Sequence, residues 1–340
     1  MEAGSVVAVI RSPAAILDRA REIADDVLFP AALGVDTSDR VPASHLDLLA
    51  AEGFYGLAGP PEAGGLGIED IATAGRLVEI LANGCLATTF VWLQHHGAVL
   101  AAARSALRDE FLEPLCRGRI RAGIAIAGIR PGRSPLRANA VDGGYVLAGE
   151  APWVTGWGMV DVVHTAALAE PDTVVWCLLD AVEGPTLAVE PLRMSAVNAS
   201  RTVHVRFTGH HVPAARVTGS MPYPEWTERD AAGLRLNGSL SLGVAKRCCR
   251  LIGPSRLDDE VIACRTALDA GTPQTMPEAR AAASELAMRA ASTLAVETGS
   301  RAVLTTQHAQ RLIREAAFLL VFGSRPPIRE ALLRRLERRY

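Results

Sequence analysis

Aromatic residues are scarce in this chain: Phe, Trp and Tyr make up 5% of its 340 residues, although 49% are hydrophobic. Long apolar runs are missing as well, and no stretch of about 18 such residues is there to span a membrane. The opening "MEAGSVVAVIRSPAAIL" lacks the apolar centre and cleavage site of an export signal. No basic stripe of the kind nucleic-acid binders carry accompanies the net charge of -2. The one basic cluster, "LLRRLERRY", reads as a solvated last helical turn, where cations suit the helix C-terminus. Neither a nucleic-acid nor a membrane partner is expected.

Metal and triad signatures are absent too. The six cysteines (Cys85, Cys116, Cys177, Cys248, Cys249 and Cys264) show no C-x-x-C spacing. Cys248 and Cys249 are neighbours on an expected helix, so their side chains diverge. With no export signal, all six read as reduced thiols of a cytoplasmic protein, mostly core fillers. His95 and His96 are adjacent, whereas a helical metal pair needs spacing near i, i+4; no metal is expected. "GSLSLG" is not a G-x-S-x-G elbow, which argues against a triad hydrolase.

What is present falls into three textures, giving an α+β fold in which helices come first, then an antiparallel β domain, then a four-helix bundle. Residues 1–121 form the expected N-terminal helical domain. "SPAAILDRAREIADDVLFPAA" has apolar positions at three- and four-residue steps and a Ser12-Pro13 start. "ATTFVWLQHHGAVLAAA" is nearly all apolar and reads as one buried helix. Residues 122–222 carry short β-branched runs such as "GYVLAGE", "TVVWCLLD" and "TVHVRFTG" between turn residues. Residues 223–340 return to the helical period, and alanine-rich "EARAAASELAMRAASTLA" permits close helix packing.

One stretch stands out, "GEAPWVTGWGMVD" at 149–161, in which Trp153 and Trp157 bracket Val154, Thr155 and Gly156. Taken alone, Trp153 is a core anchor and Thr155 an ordinary strand residue. The wider pattern says more. "LLAAEGFYGLAGPPEAGGLG", "GYVLAGEAPWVTG" and "VHVRFTGHHVPAARVTG" together resemble, in order, segments of the acyl-CoA dehydrogenase superfamily of flavoproteins. That resemblance implies FAD as cofactor, with Trp153 packed on the flavin ring, Val154 offering backbone groups and Thr155 facing N5. It implies an oxidoreductase of lipid metabolism that takes an acyl-CoA or acyl-carrier thioester. It also implies an electron-transfer acceptor and assembly into homo- or hetero-oligomers through the bundle.

The departures are as informative. Where the family has Thr-Glu-Pro-x-Ala-Gly-Ser-Asp, this chain reads "AGIRPGRSPLR", so Ile129 and Arg130 replace Thr-Glu. Arg130 and Arg133 are either phosphate contacts or solvated loop cations. The Arg-x-x-Phe-Gly element is missing after "KRCCRLIG", so the adenosine contacts must differ. The usual tail has Glu between an aromatic residue and glycine; here Phe322-Gly323-Ser324 run on directly. No catalytic base is assigned. Asp230 sits near the start of its helix, Glu315 matches a structural ion-pair position, and Glu330 follows the stiff Pro326-Pro327 step. Two readings follow. One is an acyl-thioester dehydrogenase that oxidises the Cα–Cβ bond with hydride transfer to flavin N5. The other is a catalytically silent partner subunit that pairs with a base-bearing homologue. A structural protein without flavin stands behind them.

Overall fold

The computed structural model describes residues 12–130 and 134–337. The N-terminal helices are α1 (Pro13–Glu22), α2 (Phe29–Asp36), α3 (Ala43–Ala51), α4 (Ile71–Gly84), α5 (Leu86–Leu93), α6 (His96–Ala103) and α7 (Glu113–Cys116). Ser12 starts α1 as expected: its Oγ accepts the Ala15 N–H at 3.3 Å, and Pro13 supplies a preset φ. Asp70 caps α4 by accepting the Thr73 N–H at 2.6 Å. Between α1 and α2 the helix widens into a π turn at Ile23–Leu28. Pro30, with no N–H for a bond four residues back, accounts for the widening.

The expected single helix over "ATTFVWLQHHGAVLAAA" is broken. The α5 helix stops at Leu93 and α6 restarts at His96, while the Gln94 amide donates to the Phe90 carbonyl at 3.0 Å. The break turns His95 inward. Its Nδ1 accepts the Ala122 N–H at 3.0 Å, which leaves the proton on Nε2 to donate to the Leu115 carbonyl at 3.1 Å. One imidazole thus ties the helices to the first strand.

The eight strands are β1 (Ala122–Ala125), β2 (Arg137–Val141), β3 (Gly144–Val154), β4 (Val162–Ala169), β5 (Thr173–Asp180), β6 (Leu187–Pro191), β7 (Val203–Pro213) and β8 (Val217–Pro222). They form one sheet in the order β6-β7-β3-β2-β4-β5-β8, with β1 beside β4. Pairing is mostly antiparallel, but β1–β4 is parallel (Ala122↔Val162), as is the single Arg137↔Leu168 pair of β2 with β4. The β2–β3 hairpin lies between β1 and β4 in sequence, and it returns the chain in its original direction. Leu136, Leu147, Val163, Val175 and Phe207 fill the sheet's own core.

The C-terminal helices are α8 (Tyr223–Ile252), α9 (Arg256–Asp269), α10 (Met276–Thr298), α11 (His308–Val321) and α12 (Pro326–Leu336). One buried cluster joins them to the N-terminal helices, with Leu28, Leu77 and Leu81 beside Leu242, Leu286 and Leu312. Small residues let the helices meet closely. A Cβ added to Gly243 of α8 would stand 2.6 Å from the Ala82 Cβ of α4.

Burial pushes the His95 pKa down to about 3, against about 6.5 for a free imidazole. The unfolded chain therefore binds a proton that the folded chain refuses. The stability contributed by neutral His95 is full above pH ~6.5 and is lost as pH falls toward 3, by about 1.4 kcal/mol per pH unit. Denaturant titrations between pH 7 and pH 5 should show His95→Gln losing stability less steeply than the parent chain, by about that amount per unit. Parallel slopes for the two proteins would refute this role.

Candidate functional site

Trp153 is held in a left-handed backbone conformation with φ of 64°. It falls in the register shift between Ala151 and Val154, where β3 bulges away from β7. Its side chain is 62% exposed, so it is no core anchor; Trp157, the second indole, fills the sheet core. Val154 is buried and pairs with Val203. Thr155 is only 2% exposed, and its Oγ1 lies 3.1 Å from Thr202 Oγ1. Thr202 Oγ1 in turn lies 2.8 Å from Ser200 Oγ. Each hydroxyl has one proton to give. A chain that runs from Ser200 through Thr202 to Thr155 leaves the Thr155 proton for a further acceptor, and such chains strengthen their last donor.

Strain is concentrated here. Among the described residues, the non-glycine residues with positive φ are Trp153, Val197 and Arg201. The last two flank the Asn198–Ser200 turn that delivers Ser200. Each such residue costs on the order of 1–3 kcal/mol and survives where its surroundings over-determine it, which happens mostly at functional sites.

Arg130, which the resemblance sets at an acidic position, reaches across to α8. Arg130 Nη2 donates to Asp230 Oδ2 at 3.2 Å, and the guanidinium lies over the Trp226 ring at 5.7 Å. The same carboxylate takes Arg325 Nε at 2.7 Å and Nη2 at 2.6 Å. Arg325 Nη1 also donates to the Gly323 carbonyl at 2.6 Å. Burial lowers the Arg130 pKa, and Arg325 adds to that shift. Ile129 is buried, and Arg133 lies outside the described residues.

Where the resemblance expects a glutamate, the chain makes a tight turn instead. The α11 helix ends at Val321, and Gly323 adopts φ of 61°, the left-handed stop that glycine tolerates best. A Cβ there would stand 3.2 Å from Asn237 Nδ2 and 3.9 Å from Arg325 Nη1. Phe322 packs against Phe90 and Phe318, with ring centroids 4.9 and 5.4 Å away. Glu315 is fully buried with Arg311, whose Nη1 donates to its Oε1 at 2.5 Å, and burial raises its pKa. Glu330 is exposed on α12. The two therefore lie elsewhere, one inside the helical core and one on its surface.

An exposed indole beside a buried hydroxyl relay fits a planar ring system with an acceptor at its edge, which is the shape of a flavin. Ile129 and Arg130 add no hydroxyl to that fit. Sequence reasoning missed Ser200, Thr202, Asn237 and Arg325, because only the folded chain brings them to this place. A separate cleft of about 580 Å³ lies between Arg40, Leu46, Arg119, Arg121, Met159 and Asp161. Its cations are matched by Asp39, Glu113 and Asp47, so it shows no surplus charge. Among the described residues, no three His, Cys, Asp or Glu side chains gather around a possible metal position. No described helix is long and apolar enough to cross a membrane.

Comparison with known proteins agrees with this layout. Residues 12–119 match the family described as "Acyl-CoA dehydrogenase, N-terminal domain". The mitochondrial very long-chain specific acyl-CoA dehydrogenase of Bos taurus is 26% identical over 205 residues, 55% of this chain and 31% of that one. Benzylmalonyl-CoA dehydrogenase of Aromatoleum aromaticum is 26% identical over 249 residues, 68% of this chain and 64% of that one. The chain therefore spans less than two thirds of either relative's length. A structure of PigA with FAD and proline superposes with a TM-score of 0.79 at 19% identity, covering 96% of this chain and 97% of that one. The order of helices, sheet and helices and these likenesses lead to one placement: residues 12–119 are an acyl-CoA dehydrogenase N-terminal domain, and the chain takes the fold of solved acyl-CoA dehydrogenases.

Proposed function

We propose that this protein is an FAD-binding flavoprotein that takes acyl thioesters, and that on its own it is a poor Cα–Cβ dehydrogenase. The strained, exposed Trp153 beside the Ser200–Thr202–Thr155 relay carries the first half. Trp153 would cover the flavin ring, Val154 would offer backbone groups, and Thr155 would give its proton to a ring acceptor. When bound, FAD supplies the two-electron acceptor chemistry. Everything else is left to the chain, which must orient the thioester, exclude water and receive the Cα proton.

The last task carries the second half of the proposal. A general base has to reach the proton it removes and be free to accept it. Asp230 meets Arg325 of the α11–α12 junction, and both Arg130 and Arg325 hold it. Its oxygens already accept from both guanidinium groups, which ties the carboxylate in place rather than leaving it to approach a substrate. Glu315 is spent on Arg311. This charge pattern also favours the second reading, in which the chain serves as the silent subunit of a hetero-oligomer. Exposed Val296 and Val303, at the end of α10 and just beyond it, offer apolar surface for such a partner.

Three outcomes are expected. Thr155→Val should leave the fold intact and shift the potential or occupancy of bound FAD; an unchanged visible spectrum, flavin content and potential would remove Thr155 from the site. The FAD-loaded protein should oxidise straight-chain acyl-CoA thioesters about 10²–10⁴-fold more slowly than a base-bearing relative. Insertion of Glu between Phe322 and Gly323 should recover part of that rate. Fast turnover by the unmodified chain, measured by stopped-flow bleaching of the flavin, would sink this account of the base.

A further inference from the structure

The hydroxyl relay beside Trp153 is closed at its inner end. Ser200 is fully buried and Thr202 only 3% exposed. Among the described residues, the side chains of Thr155, Thr202 and Ser200 hydrogen-bond to one another and to nothing else. Backbone bonds pin the segment that carries them. The Ser200 carbonyl accepts the Gly156 N–H at 2.9 Å, the Arg201 carbonyl accepts the Trp157 N–H at 3.3 Å, and the Thr202 carbonyl accepts the Leu192 N–H at 3.0 Å. From the loop before α3, the Val41 N–H reaches the Ala199 carbonyl at 2.9 Å. The oxygens are thereby fixed, and only the protons are free to rearrange.

Proton counting gives the relay a direction. When every hydroxyl donates toward Thr155, the Ser200 proton goes to Thr202, the Thr202 proton goes to Thr155, and the Thr155 proton is offered outward. In the reverse order the Ser200 proton has no acceptor, and a buried donor left unmet is costly. The first order therefore prevails, and each hydroxyl upstream strengthens the donor at Thr155 by polarisation. The strain at Val197 and Arg201 fits this account, since it holds Ser200 where it can donate to Thr202.

The N5 edge of a flavin is a hydrogen-bond acceptor when the ring is oxidised and an N–H donor when it is reduced, so a fixed partner there tunes the couple. An outward donor suits the first state and opposes the second. We propose that Ser200 and Thr202 are positioning residues that act through Thr155 to make this chain hold oxidised FAD more firmly than reduced FAD, which keeps the midpoint potential of the cofactor low. This rests on the flavin reading of the site and adds the direction in which the site biases it.

The test is a redox titration of the full chain loaded with FAD. Thr202→Val cuts the relay and leaves the Thr155 hydroxyl in place. The stranded Ser200 proton is the same in both redox states, so its cost cancels from the potential. The preference for oxidised over reduced FAD should fall about three- to tenfold, which raises the potential by roughly 15–30 mV for a two-electron couple. Ser200→Ala should move it the same way by less, and Thr202→Ser, which keeps the hydroxyl, should return the parent value. Circular dichroism and flavin stoichiometry show that each variant is folded and loaded; should Thr202→Val lose its flavin, Ser200→Ala decides the matter. An unchanged potential with FAD bound would overturn the proposal and leave the flavin reading standing. A lowered potential would mean that the relay runs the other way and would overturn it too. Failure of the parent chain to bind FAD would defeat the flavin reading, and the proposal with it.

Discussion

The contact between α4 and α8 sets where everything else can go. At Gly243 the two helices approach so closely that a single added carbon would meet Ala82 and the Glu79 carbonyl at 2.6 Å. Charged groups lock the same seam. Arg247 donates to the Asn83 carbonyl at 2.8 Å and to Asp25 at 2.7 Å. Glu79 accepts from Arg265 at 2.6 and 2.8 Å. Removing one partner from a pair this buried would strand its counterion, which is why such contacts are costly to break. With its middle fixed, α8 projects its first turns toward the sheet, and that carries Asp230 and Asn237 to Arg130, Gly323 and Arg325.

The two sides of the candidate site are built on different logic. The sheet side stores backbone strain at Trp153, Val197 and Arg201 and surrounds one short hydroxyl chain with it. The helical side stores charge, with guanidinium groups gathered where an acid would be needed to move a proton. The first arrangement suits a flat aromatic cofactor. The second ties the Asp230 carboxylate to Arg130 and Arg325.

Much of the fold was legible because its signals are local. Ser12-Pro13 announced a helix start, and alternating β-branched runs announced the strands. The sequence also pointed to Trp153, Val154 and Thr155, though only through likeness to a family; residue type alone favoured a buried Trp153. The break at His95 was hidden, because an unbroken apolar run says nothing of an imidazole that finds partners in Leu115 and Ala122. The Asp230–Arg325 pair was hidden for a similar reason: 95 residues separate its members, and only the crossing of helices reveals it. The hydroxyl relay needed Thr155 and Thr202, 47 residues apart, to face each other across the β3–β7 pairing.

Gly323 bears on what a single substitution can do to this loop. A glutamate replaced in place could return by one substitution. Here the chain passes directly from Phe322 to a left-handed Gly323, with no residue between them to substitute. Replacing Gly323 by Glu would force a residue with a Cβ into a backbone region that costs about 1–2 kcal/mol outside glycine. It would also press the new side chain against Asn237. A single substitution at Gly323 therefore does not rebuild a glutamate-bearing loop; that takes an added residue, with room made beside Asn237.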